Sequence, residues 1–116
     1  MDANEYQSQA ARTLIKTPDF QITPEQVMIT WTATGLAGEV GEVIELIKKG
    51  IYHQQGVDPE KMKKELGDVL WYLSGLAGQF GLTLDEIMQH NIEKLKARYP
   101  AGWDPKRSQV KTGVAE

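Results

Sequence analysis

The chain has 116 residues, 41% of them hydrophobic and 25% charged, as is typical of a single globular domain. Its net charge of −3 and its lack of cysteine argue against a nucleic-acid-binding surface and exclude disulfides, thiolate zinc sites and cysteine nucleophiles. No apolar run reaches the roughly 18 residues of a membrane span and the first residues lack a signal-peptide pattern, so we expect a cytoplasmic protein without membrane contact.

Apolar residues recur at spacings of three and four along the chain, which predicts an all-α, four-helix bundle-like fold. The first helix is predicted over about residues 4–16, and the segment 17–19 ends it because a residue before proline leaves the helical region. The second begins after Thr23, with a capping-box spacing and a proline at the first helical position. It runs to about residue 49, and Gly50 is its expected stop.

The third and fourth helices are bounded by similar signals. The third is predicted over residues 58–81, with an aspartate cap followed by proline. The fourth is capped by Thr83 and runs to about residue 98, before Pro100. We therefore expect one catalytic domain over residues 1–99 and a polar tail or arm over residues 100–116.

The third helix is apolar on nearly all sides between residues 66 and 82. A single small domain can hardly cover such a helix completely, so we expect part of it to lie at a subunit interface. Trp31 and Trp71 are expected to pack in the core or at that interface. Several glycines on the second and third helices would allow close helix approach: Gly35, Gly38, Gly41, Gly75 and Gly78.

Two short motifs place paired carboxylates on helices: Glu39-Val-Gly-Glu42 and Glu65-Leu-Gly-Asp68. Residues three apart lie on one helix face, and the short connection between the two helices predicts an antiparallel hairpin. At 1.5 Å per residue, Glu42 and Glu65 lie about 12 and 10 Å from the turn. Glu39 and Asp68 lie about 16 and 15 Å from it. The four carboxylates are thus expected to converge.

Four converging carboxylates repel one another and are costly to bury, and a divalent cation is the simplest compensation. Oxygen-only ligands favour a hard ion, magnesium or manganese. The alternative is that these residues form solvated faces of amphipathic helices. A di-iron carboxylate bundle is disfavoured because neither His53 nor His90 has the required Glu-x-x-His spacing.

The segments 35–42, 65–72 and 91–100 together resemble the MazG-like nucleotide pyrophosphohydrolases, and the resemblance extends over about residues 6–100. It implies an all-α NTP pyrophosphatase fold assembled as a homodimer or homotetramer. It also implies contacts of Asn91 and Lys94 with the sugar and phosphates of the nucleotide. Many members carry a doubled glutamate in the first motif, where this chain has Gly38. The positions that match the family's magnesium ligands are Glu39, Glu42, Glu65 and Asp68.

Asn91, Lys94 and Arg98 are spaced to lie in line on the fourth helix, where they would offer hydrogen bonds and positive charge to a triphosphate. The alternative is an ordinary basic helix end. Tyr72 lies one turn beyond the second carboxylate motif and is expected to stack on the base.

The sequence thus predicts magnesium-dependent hydrolysis of (deoxy)nucleoside triphosphates to monophosphate and pyrophosphate, in nucleotide-pool house-cleaning. Glu42 is the expected catalytic base, with Glu39 beside it. A phosphoribosyl-ATP pyrophosphatase-like enzyme and a non-catalytic helical interaction module are the alternatives.

Overall fold

A computed structural model describes residues 1–15 and 20–109 of the chain. Within these residues the structure is helical and contains no β-strand, only an isolated bridge between Pro100 and Gly102. The predicted all-α architecture of four helices is therefore confirmed. The elements in chain order are α1 (Ala3–Ala11), α2 (Pro24–Tyr52), α3 (Pro59–Gln79), α4 (Leu84–Arg98) and a short 3-10 helix (Arg107–Gln109).

The helices begin where local capping chemistry predicts. At the start of α2, the Thr23 hydroxyl accepts the Gln26 amide N–H at 3.1 Å, and the Gln26 side-chain oxygen accepts the Thr23 amide at 2.9 Å. Thr83 and Glu86 form the same reciprocal pair at the start of α4. The hydrogen bonds from Thr83 hold the pKa of Glu86 below its ordinary value. Asp58 caps α3 through the Glu60 amide.

The first helix is shorter than predicted. It ends at Ala11, and the next residues form turns in which Thr13 N–H bonds the Ala10 carbonyl at 3.2 Å. The Thr13 hydroxyl also donates to that carbonyl at 3.0 Å, and such side-chain bonds compete with helix continuation. Because α1 buries no residue, no packing extends it further. The predicted end at residues 16–19 lies outside the described residues.

The prediction that Gly50 stops the second helix is wrong. The helix continues to Tyr52, and the chain reverses at Gln54, which has φ 56°. Gly50 is buried, and a side chain there would overlap Val57 and approach the Gly56 carbonyl oxygen to 2.9 Å. Gly50 therefore permits the loop to fold back closely over the end of α2.

The two long helices α2 and α3 form an antiparallel hairpin. A Cβ at Gly75 would lie 3.4 Å from the Thr32 methyl group, and three residues further along α2 the Gly35 backbone meets the Tyr72 ring. A step of three residues forward on α2 thus corresponds to three residues backward on α3. This register confirms the predicted hairpin, although Gly38, Gly41 and Gly78 have open space above them.

Outside the contact between α2 and α3, the described helices pack loosely. Among the described residues, extensive helix packing is confined to α2 and α3, and only Thr32 and Ala77 have buried side chains. The radius of gyration is 20.4 Å, against about 13 Å for a compact domain of roughly 100 residues. Leu70 is 53% exposed and Phe80 61%. None of the described helices has a stretch long and apolar enough to cross a bilayer.

Candidate metal centre

Three carboxylates from the two facing helices converge near the middle of the hairpin. Each of Glu39 on α2 and Glu65 and Asp68 on α3 offers an oxygen that lies within 4.8 Å of those offered by the other two. All three residues are partly buried. The antiparallel register produces this meeting, because it places Glu39 level with Asp68, as the helix rise predicts.

The electrostatics of the cluster are those of crowded like charges. The pKa of the Glu39 carboxyl is raised above its ordinary value, first by desolvation and then by repulsion from the carboxylates of Asp68, Glu65 and Glu42. The ammonium group of Lys64 acts in the opposite direction, and its Nζ lies 4.0 Å from a Glu65 carboxylate oxygen. One lysine does not balance these carboxylates, so the cluster favours a further cation.

The donor set fits a hard divalent ion. The three ligands are carboxylate oxygens, which magnesium and manganese prefer. Two oxygens at opposite sides of a magnesium ion are about 4.2 Å apart, because each bond is about 2.1 Å long. A separation of at most 4.8 Å is close to that limit, so small side-chain movements would complete the coordination.

Glu42, the fourth predicted ligand, stands apart from this group. It is exposed and is not among the three carboxylates whose oxygens converge. Its charge nevertheless contributes to the raised pKa of Glu39, so it lies near the cluster. The structure therefore brings together three of the four predicted ligands and leaves Glu42 beside them, accessible to water.

An aromatic cluster adjoins the carboxylates on the side away from the hairpin loop. The ring centroids of Trp71 and Tyr72 are 4.9 Å apart, and the Trp31 ring lies 5.5 Å from Tyr72 and 6.2 Å from Trp71. Trp31 and Trp71 are 51% and 61% exposed, so neither packs in a core of this chain. From the sequence we predicted only a packing role for these two tryptophans. The hairpin register places Tyr72 level with Gly35 and Trp31 one helical turn further from the loop, so the contact between their rings depends on side-chain direction as well as register.

The candidate substrate residues of α4 are not brought to the carboxylates by helix packing within one chain. Within the described ranges, α4 makes no extensive contact with α2 or α3. Asn91 is exposed and lines an open cavity, while Lys94 is partly buried. Arg98 donates to the Ser108 carbonyl at 3.3 Å and lies 5.7 Å from the Tyr99 ring centroid, so it contacts the predicted tail.

The histidines lie elsewhere. His53 follows the last residue of α2, as its C-cap, and His90 lines the open cavity beside α4. Neither belongs to the metal-ligand group found among the described residues.

The fold and the site together define an all-α protein with a carboxylate centre that can hold a divalent metal. A family model described as the MazG nucleotide pyrophosphohydrolase domain matches residues 29–103, most of the chain. The chain belongs to this family. The match covers nearly all of α2, all of α3 and α4, and the start of the tail.

A curated relative extends this comparison. The chain is 35% identical over 78 residues to the Gene 37 protein of Mycobacterium phage L5, an alignment that covers 64% of this chain and 68% of that protein. No solved structure matches the chain. Family membership indicates a nucleotide pyrophosphohydrolase, a hydrolase that acts on phosphoric anhydrides.

Proposed function

We propose that this protein hydrolyses nucleoside or deoxynucleoside triphosphates to the monophosphate and pyrophosphate, with magnesium bound by Glu39, Glu65 and Asp68. The observation that carries the proposal is the convergence of three carboxylate oxygens within 4.8 Å. It occurs inside the segment that matches a nucleotide pyrophosphohydrolase family. Removal of unwanted nucleotides from the cellular pool is the role that we assign to this reaction.

The metal and the protein have separate tasks in this scheme. When bound, magnesium supplies charge neutralisation for phosphate oxygens and makes water easier to deprotonate; manganese would serve in the same way. The three converging carboxylates hold the ion and fix its position. Their partial burial limits the water that competes for it.

Glu42 is the proposed general base. It is exposed and adjacent to the cluster, so its carboxylate is free to accept a proton. In the reaction, a water oxygen forms a bond to phosphorus, one phosphoric anhydride bond breaks, and pyrophosphate and nucleoside monophosphate separate. The proton of the water passes to a Glu42 oxygen, a transfer that contributes roughly 10²- to 10⁴-fold to such reactions. Glu39 supports this proton transfer by holding the metal beside Glu42.

The remaining substrate contacts are assigned to the aromatic cluster and to α4. Tyr72 lies one turn from Asp68 and offers a ring for base stacking. Asn91 and Lys94 would bind the sugar and phosphates, with Arg98 at the end of the same helix. Because α4 does not pack on the hairpin within the described part of one chain, we assign its delivery to a second subunit in a homodimer or homotetramer.

The test is pyrophosphate release from a panel of canonical and damaged nucleotides with magnesium, followed by addition of EDTA. We expect Glu65→Gln and Asp68→Asn to lower turnover by at least about 100-fold, the scale of several kcal/mol that metal catalysis supplies. Glu60→Gln is the matched control, because Glu60 lies on the same helix and pairs at the surface with Lys63 at 3.1 Å. Hydrolysis that persists in EDTA would contradict the metal mechanism.

The same assay separates the alternatives. A phosphoribosyl-ATP pyrophosphatase-like enzyme would need the same carboxylates but would release pyrophosphate from phosphoribosyl-ATP in preference to simple triphosphates. A helical interaction module would release no pyrophosphate and would tolerate loss of Glu65 and Asp68.

A further inference from the structure

A second polar feature lies at the hairpin end of the same two helices. The loop between α2 and α3 borders an open-sided cavity of about 460 Å³, lined by Lys49, Lys61, Gly50 and Gly56 among others. Its volume is within the range of small-molecule sites. Lys61 is one turn before Glu65 on α3, about 6 Å along the helix axis, so the cavity begins next to the metal centre.

We propose that this cavity is an anion subsite in which Lys49 and Lys61 bind the two outer phosphates of the nucleotide and then the pyrophosphate product. The assignment rests on the proposed function, because it takes the carboxylate centre as the place where the anhydride bond breaks. It divides the hairpin into three successive zones: the aromatic cluster, the carboxylates and this cationic end.

The charges of the cavity support an anionic occupant. Lys61 makes no ion pair with any described residue. Lys49 pairs with Glu45 at 3.6 Å, and exposed pairs of this kind are weak enough to exchange for a phosphate. Asp58 is the acidic residue in the lining, and its carboxylate oxygen already accepts the Glu60 amide at 3.0 Å.

The wall of the cavity at Gly56 leaves room for an anion. Gly56 has no side chain, and a Cβ there would meet nothing within 4 Å. A phosphate therefore has room beside Gly56 in the cavity that both lysines line. The cations of α4 are not packed against the hairpin within the described residues, so in one chain these lysines are better placed for the outer phosphates.

The experiment measures binding of inorganic pyrophosphate and of nucleoside monophosphate by calorimetry with magnesium present. We expect Lys49→Ala/Lys61→Ala to weaken pyrophosphate binding by about 10-fold or more, since each lost charged hydrogen bond is worth about that factor. Monophosphate binding should change less than about twofold. Lys49→Ala/Lys61→Arg should keep part of the pyrophosphate affinity that Lys49→Ala/Lys61→Ala loses.

The matched control is Lys48→Ala/Lys63→Ala, which removes the same charge from the same helices but from side chains paired with Glu45 and Glu60. An equal loss in the control, or unchanged pyrophosphate binding in Lys49→Ala/Lys61→Ala, would overturn the subsite. If the wild-type protein binds pyrophosphate through these lysines but hydrolyses no triphosphate, the subsite stands and the proposed function fails. If it hydrolyses triphosphates and Lys49→Ala/Lys61→Ala binds pyrophosphate normally, the proposed function stands and the subsite fails.

Discussion

The ring of Tyr72 lies directly against the backbone of Gly35, in space that any side chain at position 35 would occupy. Gly35 is one turn before Glu39 on α2, and Tyr72 is one turn after Asp68 on α3. The close approach therefore sets the helix separation next to the carboxylates. Helix packing and the carboxylate cluster are linked at this contact, because a wider separation would move Glu39 away from Glu65 and Asp68.

We predict that Gly35→Ala destabilises the protein relative to Gly38→Ala. Both changes gain about 1 kcal/mol of helix propensity, so that gain cancels in the comparison. Only position 35 is overpacked, and the Tyr72 ring cannot move freely because it also contacts Trp31 and Trp71. The expected difference in the free energy of unfolding is about 1–3 kcal/mol. Urea denaturation checks it, and equal stability of the two variants would contradict it.

The parts of the structure that depend on local chemistry could be predicted from the sequence. Helix starts at Thr23 and Thr83 follow from side chains that satisfy nearby amides. The meeting of Glu39 with Asp68 follows from helix rise and a short loop. The role of Gly50 could not be predicted, because a buried glycine under a loop and a helix-stopping glycine look the same in sequence.

The position of α4 relative to the hairpin could not be predicted from the sequence, for a different reason. Its formation and its N-terminal cap depend on residues close in sequence, but its packing depends on surfaces that are distant in sequence. Asn91 and Lys94 were expected to face the phosphates, and within the described residues α4 makes no extensive contact with the hairpin that carries the carboxylates. Sequence spacing orders residues along a helix but does not say which helix lies opposite.

We predict that Glu39→Gln stabilises the metal-free protein at neutral pH. The folded protein holds the Glu39 proton more tightly than the unfolded chain, because the folded pKa is raised above 4.5. The stabilising contribution of the protonated Glu39 carboxyl is therefore fully present below about pH 4.5, and it is lost as the pH rises through the folded pKa. Urea unfolding in EDTA should show the variant more stable than wild type near pH 7, and no more stable below about pH 4.5.

Glu45→Gln is the control for that measurement, because Glu45 lies on the same helix but pairs with two lysines, Lys48 and Lys49. It should not reproduce the gain at neutral pH. Adding magnesium should stabilise the wild-type protein more than the Glu39 variant, since ligand binding to the folded state shifts the unfolding equilibrium. The same magnesium response in both proteins would remove Glu39 from the metal site.

We predict that Lys94→Ala weakens triphosphate binding more than monophosphate binding. Its ammonium would neutralise charge on the phosphate tail, a contribution worth about 10-fold or more in affinity. Lys96→Ala is the matched control on the same helix turn, because Lys96 is exposed and has no assigned contact. Calorimetry with a non-hydrolysable triphosphate checks the difference. Equal losses with both nucleotides would place Lys94 away from the phosphates.

The last prediction is that the active species is an oligomer, at least a dimer, whose sites combine residues of two subunits. Leu66, Leu70, Trp71 and Phe80 on and beside α3 are all more than half exposed, and exposed apolar surface forfeits about 25 cal/mol per Å². Monomers seldom leave so many large apolar side chains of one helix in water. A symmetric partner would cover them and bring a second α4 to each carboxylate centre.

Mass and complementation test this prediction together. Analytical ultracentrifugation at low micromolar concentration should give a multiple of the 13.0 kDa chain mass. Mixed refolding of Glu65→Gln with Lys94→Ala should restore about a quarter of wild-type activity in a dimer, at substrate concentrations low enough for the weakened binding of Lys94→Ala to limit its own turnover. Half of the randomly formed dimers are mixed, and each mixed dimer has one intact site if Glu65 and Lys94 come from different subunits. An active 13.0 kDa species would reject the oligomer. An oligomer without restored activity would show that each chain supplies its own α4.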